Sequence, residues 1–192
     1  MNPILYILCA ALLTGCVSTY ERSSITRTAS PLSTNATALV TTPPDGSFER
    51  ENYPGTGKQT AIAVAQALGR YLKRVEVADE GLTREAALQR AKAGTFDYLV
   101  MPEIVHWENR ATEWSGKPDR ITISVRTIRA ADGSLLDHGQ FSGKSKWFTF
   151  GGDAPEDLLY RPCGEHIAEL FGQPKPKSPA PSPSQFNSRT GR

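Results

Sequence analysis

Charge of one sign, metal-ligand spacings and spare cysteines are what this chain lacks, and each lack closes a class of function. The 22 Lys and Arg and the 20 Asp and Glu are mixed along the sequence and leave a net charge of only +2. No strong field draws the chain to nucleic acid, which is not an expected partner. Its three histidines, His106, His138 and His166, follow no zinc-motif spacing, so neither a metal nor any other cofactor is expected. No nucleophile elbow announces a Ser-His-Asp set, and no internal repeat is visible. Of three cysteines, Cys9 and Cys16 fall in the first 16 residues, which leaves Cys163 without a disulfide partner. With His166 three residues on, a catalytic thiol is conceivable there. The plainer reading is a small, partly buried residue in the first turn of a helix after Pro162.

Charged side chains are also missing from the first fifteen residues, MNPILYILCAALLTG, an apolar stretch too short to span a bilayer as a mature helix. It runs into Leu13-Thr14-Gly15-Cys16, which resembles a lipobox, the site where a bacterial cysteine receives diacylglycerol before the leader is cut away. Residues 1–15 are therefore expected to be a signal peptide and Cys16 the lipidation site. Acyl chains such as palmitate add about 0.8 kcal/mol of membrane affinity per buried methylene, enough to anchor the chain without a spanning helix. Val17 stands where other bacterial lipoproteins carry an Asp for inner-membrane retention, so the resemblance implies the outer membrane, with the domain facing the periplasm.

Composition then divides the remainder. Residues 16–35, rich in Ser and Thr and without periodicity, read as the lipidated cysteine and a flexible tether. Residues 173–192 carry five prolines among small polar residues and read as a disordered tail. Between them, 36–172 reads as one small α/β domain. A strand is expected over 36–42, then a loop, then a helix over 58–73 burying Ile62, Ala65, Leu68 and Leu72. A short strand at 75–77 precedes a helix capped by Thr83 and ended by Gly94, with Ala87, Leu88 and Ala91 inward. Strands over 96–107, 121–130 and 134–148 follow, then a helix over 155–171, broken near Pro162. Side-chain alternation selects a hairpin with Ile123 opposite Phe141 and Ile121 opposite Gly143, reached by a three-residue loop with Gly133 in the bulge. The order β-α-β-α-β-β-β-α implies a mixed sheet of about five strands covered by helices.

Two segments carry candidate chemistry. Tyr53-Pro54-Gly55-Thr56-Gly57-Lys58 brings glycines and a lysine to a helix start, yet Asn52 and Gln59 break the phosphate-loop pattern and the periplasm lacks ATP. A Gly-rich turn with Thr56 as cap is one reading; an anion held by Gly55, Gly57 and Lys58 is the other. The denser segment runs from His106 to Arg120, with Lys144 to Asp153 across the hairpin. It holds all three tryptophans, Trp107, Trp114 and Trp147. Alternation places His106, Glu108 and Arg110 on one strand face and Trp107 on the other. Together with Glu113, Lys144 and Lys146 these residues form a candidate partner surface, since Trp and Arg dominate recognition sites. The bland alternative is a solvated edge whose tryptophans cover the core.

The lipobox, Tyr53-Pro54-Gly55-Thr56-Gly57, the run from His106 to Gly116, Gly143-Lys144-Ser145 and Phe150-Gly151-Gly152-Asp153 together resemble the bacterial lipoprotein family known as domain of unknown function 4823, over about 36–171. That resemblance implies an envelope lipoprotein and no particular reaction. The expected function is a non-enzymatic binding or adaptor module for an envelope protein or cell-wall polymer. One alternative is a hydrolase or lyase on an envelope polymer using Glu108, Glu113 and His106, which requires a cleft around them. The other is the small-ligand or anion binder at Gly55–Lys58.

Overall fold

A computed structural model describes residues 19–109, 118–145 and 157–176. In chain order these form β1 (Thr19–Thr26), β2 (Thr37–Thr42), β3 (Gly46–Phe48), β4 (Glu51–Tyr53), α1 (Thr56–Leu68), β5 (Arg74–Glu80), α2 (Arg84–Ala93), β6 (Tyr98–Glu108), β7 (Arg120–Arg129), β8 (Leu135–Lys144) and α3 (Asp157–Leu170). Six strands make one mixed sheet in the order β1-β8-β7-β6-β2-β5, and β3 pairs with β4 in a separate small hairpin. The expected mixed α/β domain is thus present, with one more strand than the sequence reading counted.

The parallel half follows from apolar content. Ala38, Leu39 and Val40 are buried on both faces of β2, as a strand between two parallel neighbours must be. It pairs with β5 and β6 in parallel register. On one face α1 contributes Ala61, Val64, Ala67 and Leu68. On the other, Ala87 and Ala91 of α2 close over Leu39, Leu99 and Ile128. The Thr83 cap is present, its Oγ1 accepting from the Ala86 amide at 3.2 Å. The expected face of α1 is shifted, because Ile62 and Ala65 are only half-buried and the helix stops at Gly69 rather than Lys73.

In the antiparallel half, Ile123 faces Phe141 and Ile121 faces Gly143, as alternation required. The route to that register differs. The turn spans four residues, with the Arg129 amide bonded to Ser134 O. A bulge at Leu136 between Thr127 and Ile128 then restores the pairing. Gly133 sits in the turn at φ 75°. A second bulge, at Val105, shifts β6 against β7. It rotates Trp107 onto the helix-covered face, where it is 1% exposed in the same core as Ile104 and Ile121.

Three further differences matter for the site. Thr19–Thr26, inside the segment read as tether, are instead an edge strand antiparallel to β8. Apolar periodicity could not reveal it, since only Tyr20 and Arg22 are even half-buried. The loop expected after β2 contains the β3–β4 hairpin, which leans on β6. Pro162 lies inside a helix that continues through it, and Cys163 is fully buried. Burial pushes the Cys163 thiol up to about 12, so it is a core residue and no nucleophile.

Candidate functional site

Strand pairing brings the predicted chemistry to one end of the sheet. Glu108 of β6 is opposite Arg120 of β7, which is opposite Lys144 of β8, whose other neighbour is Thr19 of β1. Adjacent strands are about 4.8 Å apart, so Glu108 and Lys144 stand about 10 Å from each other across this row. His106 and Glu108 share a side of β6, with His106 Nε2 3.4 Å from Glu108 Oε2. Glu108 is 3% exposed, a depth at which a carboxylate is retained only with partners.

The β3–β4 hairpin builds the wall that sequence reasoning missed. Phe48 meets the His106 ring edge-on, with centroids 5.0 Å apart. Tyr53 donates to Glu51 at 3.2 Å and approaches Asn109 O at 3.5 Å. Its hydroxyl is held above the ordinary value, by burial first and then by Glu51 and the nearby Glu108 charge. Phe48, Glu49, Arg50, Glu51, Tyr53, Glu108 and Asn109 enclose a groove of about 780 Å³. Three carboxylates against one guanidinium make its lining acidic. Of the residues in the acid–base reading, Glu108 lines this groove and His106 does not.

Individual assignments separate at this point. Trp107 is core, and the partner contact expected of it is not available to a side chain buried this deeply. His106 and Glu108 stand together, while Lys144 is exposed two strands away. Arg110, Glu113, Trp114, Lys146 and Trp147 lie outside the described residues, as does Cys16. At the glycine turn, Gly55 precedes α1 at φ 87°. Thr56 does not cap the helix; its hydroxyl donates to Tyr53 O of β4 and accepts from the Gly46 amide of β3. The Gly57 amide donates to Asp45 Oδ1 at 2.8 Å. A Cβ at Gly57 would stand 2.1 Å from Pro43 O, so this glycine serves the close passage of two backbone segments. An anion at Gly55, Gly57 and Lys58 would have to displace the Asp45 carboxylate, which already sits on the helix start and repels a second negative group. Lys58 itself points to solvent.

Among the described residues, no group of three or more His, Cys, Asp or Glu side chains is arranged to hold a metal ion, and no helix is long and apolar enough to cross a membrane.

No curated protein matches the chain in sequence. Solved structures match in fold. The chain superposes on a PelC dodecamer from Paraburkholderia phytofirmans with TM-score 0.58 and 12% identity, over 82% of this chain and 100% of that one. A variant PelC dodecamer from the same organism gives TM-score 0.52 and 13% identity, over 80% of this chain and 95% of that one. Lipoprotein GNA1162 from Neisseria meningitidis gives 0.42 and 13%, over 58% and 84%. Identities this low speak to the fold and not to the chemistry of any site. Sequence is more specific. Residues 30–170 match the family described as domain of unknown function DUF4823 over most of the chain, and the protein belongs to that family.

Proposed function

We propose that this chain is a lipid-anchored envelope protein, held by Cys16 in the outer membrane, whose periplasm-facing domain is a non-enzymatic binding or adaptor module. The observation that carries the binding part is the acidic groove where the β3–β4 hairpin meets the end of β6. Its carboxylates suit a cationic side chain or a donor-rich surface of an envelope protein, and Phe48 and Tyr53 supply the aromatic contact area on which recognition relies. Because PelC forms a dodecamer, further copies of this chain belong among the partners to be tested.

The experiment is photocrosslinking in living cells from a reactive residue at Asn109, read by mass spectrometry. One defined partner should be captured, and the yield should fall when Glu51→Lys reverses charge in the groove. A capture pattern no different from that of a probe at Val77, on the far edge of the sheet, would remove the reading. Anchoring has its own measurement: Cys16→Ser should move the protein out of the membrane fraction.

The acid–base alternative is favoured by one observation, the His106–Glu108 contact at the edge of a cleft. Envelope polymer digested by the wild type but not by Glu108→Gln would establish it in place of the adaptor.

A further inference from the structure

A second groove, of about 420 Å³, runs between β1 and the C-terminal half of α3, lined by Arg22, Ser23, Ser24, Arg27, His166 and Glu169. Two guanidinium groups converge in it on one carboxylate. Arg22 bonds Glu169 Oε1, and Arg27 bonds Oε2 at 2.6 Å. Burial alone would raise the Glu169 carboxyl, but the bonds and charges of Arg27 and Arg22 hold it below its ordinary value.

The donors here are not used up. Arg22 Nη1 is buried and has no hydrogen-bond partner among the described residues. The floor has the same character. His166 is 2% exposed, lodged against Gly139, where a Cβ would come within 2.2 Å of the imidazole. Its Nε2 lies 3.5 Å from Asp137 Oδ2, yet neither atom makes a hydrogen bond among the described residues. Unsatisfied buried polar groups cost about 1–3 kcal/mol each, and folds retain such groups where they serve a site.

We propose that this groove is an oxyanion site, in which a phosphate ester displaces the Glu169 carboxylate from between the Arg22 and Arg27 guanidiniums. Paired guanidiniums offer rigid forks of N–H donors that match a tetrahedral oxyanion, and the displaced Glu169 already marks where its oxygens go. The rim adds the Ser23 and Ser24 hydroxyls as donors. Arg22 and Arg27 lie before residue 30, where the family match begins, so this chain's own N-terminal strand completes the site. Arg22 is six residues from Cys16, at most about 20 Å of extended chain. The ester is therefore either a lipid headgroup or a soluble phosphate. Only the headgroup source rests on the anchoring proposed above.

Titration calorimetry on the full chain in neutral detergent, with inorganic phosphate in one arm and dihexanoyl phosphatidylglycerol in the other, tests the site. Saturable binding is expected in at least one arm: in the lipid arm for a headgroup site, in the phosphate arm for a soluble ester. Arg27→Gln, at an exposed position, should weaken binding by about tenfold, the worth of one charge-assisted contact. Glu169→Gln should tighten it, by about fivefold, because the internal competitor has lost its charge. Misfolding cannot produce that gain. No binding in either arm up to about 10 mM, or a Glu169→Gln variant that binds no more tightly than the wild type, would overturn the site whether or not Cys16 is acylated.

Discussion

The two halves of the sheet solve burial differently. Around β2, helices cover both faces, and the buried side chains are apolar or threonine. Around β7 and β8, helices cover one face only. The open face carries Ser124 bonded to His138 at 3.0 Å, Thr122 to Ser142 at 3.0 Å and Arg126 to Glu103 at 3.0 Å. Every buried acid and imidazole among the described residues, namely Glu108, Asp137 and His166, belongs to this antiparallel half. A parallel strand between two helical layers has no room for a polar group that lacks a partner; in the antiparallel half, Glu108 sits at the end of β6, and Asp137 and His166 meet beneath α3. Apolar burial is shared by both halves, with Trp107, Ile121, Ile123 and Phe141 in the antiparallel one, while the buried acids and imidazole among the described residues lie in that half.

The largest effect should come from the residue that joins the two roles. Trp107 fills the core beneath the β3–β4 hairpin, against Gly46, and so supports the wall of the acidic groove. Trp107→Ala should cost about 3–5 kcal/mol in chemical denaturation and loosen the hairpin. Val105→Ser, at the neighbouring bulged position that is 54% exposed, should change stability by less than about 0.5 kcal/mol. Equal costs at the two positions would mean that the Val105 bulge does not divide core from surface, and the contrast between the halves would lose its sharpest boundary.

The buried pair at Asp137 and His166 gives the next effect, visible in pH dependence. Burial pushes Asp137 up from 3.8 to about 6 and His166 down from 6.5 to about 4. A raised carboxyl contributes stability that is present below 3.8 and lost as pH rises through about 6. A lowered imidazole contributes stability that is present above 6.5 and lost as pH falls through about 4. Between about 4 and 6 the two slopes oppose each other: folding moves one proton from His166 to Asp137 and takes up none, so the wild type should be flat there. Asp137→Asn leaves the imidazole alone, and stability should fall on acidification from 6.5 to 4 by up to about 3 kcal/mol. His166→Gln should do the reverse and gain stability over the same descent. Thermal melts across that range decide it; a wild type as steep as Asp137→Asn would show that Asp137 takes up no proton on folding.

How much of this was legible in the sequence depended on whether a feature has a periodic signature. The β-α-β-α-β-β-β-α order, the Thr83 cap and the Ile123–Phe141 register follow from apolar spacing and cap chemistry, and all are present. Strand β1 lacks such a signature, because an edge strand with one half-buried tyrosine and one half-buried arginine looks like a tether; its hold on the domain is the ladder to β8 together with a long-range clamp to Glu169. The Val105 bulge has no such signature either, although alternation alone sets Trp107 on the face opposite His106 and Glu108, where it packs into the core. At the sites, alternation puts His106 and Glu108 on one face of β6, where they meet. The hairpin wall and the Asp137–His166 pair were not, because both join residues far apart in sequence with no local pattern between them.

The smallest prediction concerns the turn of that wall. Glu49 and Arg50 alone connect Phe48 to its partner Glu51, and a two-residue hairpin loop needs left-handed backbone, which glycine or asparagine supplies readily. Glu49 adopts φ 55° instead, a conformation that costs a side-chain-bearing residue about 1 kcal/mol. Glu49→Gly relieves that strain but adds freedom to the unfolded chain, so the net gain in denaturation should stay near or below about 1 kcal/mol. The same change removes one carboxylate from the acidic groove. A variant that is more stable yet captures less partner from Asn109 would show that the strained glutamate is retained for binding. One that is more stable and captures as much would shift the recognition to Glu51 and Glu108, deeper in the antiparallel half.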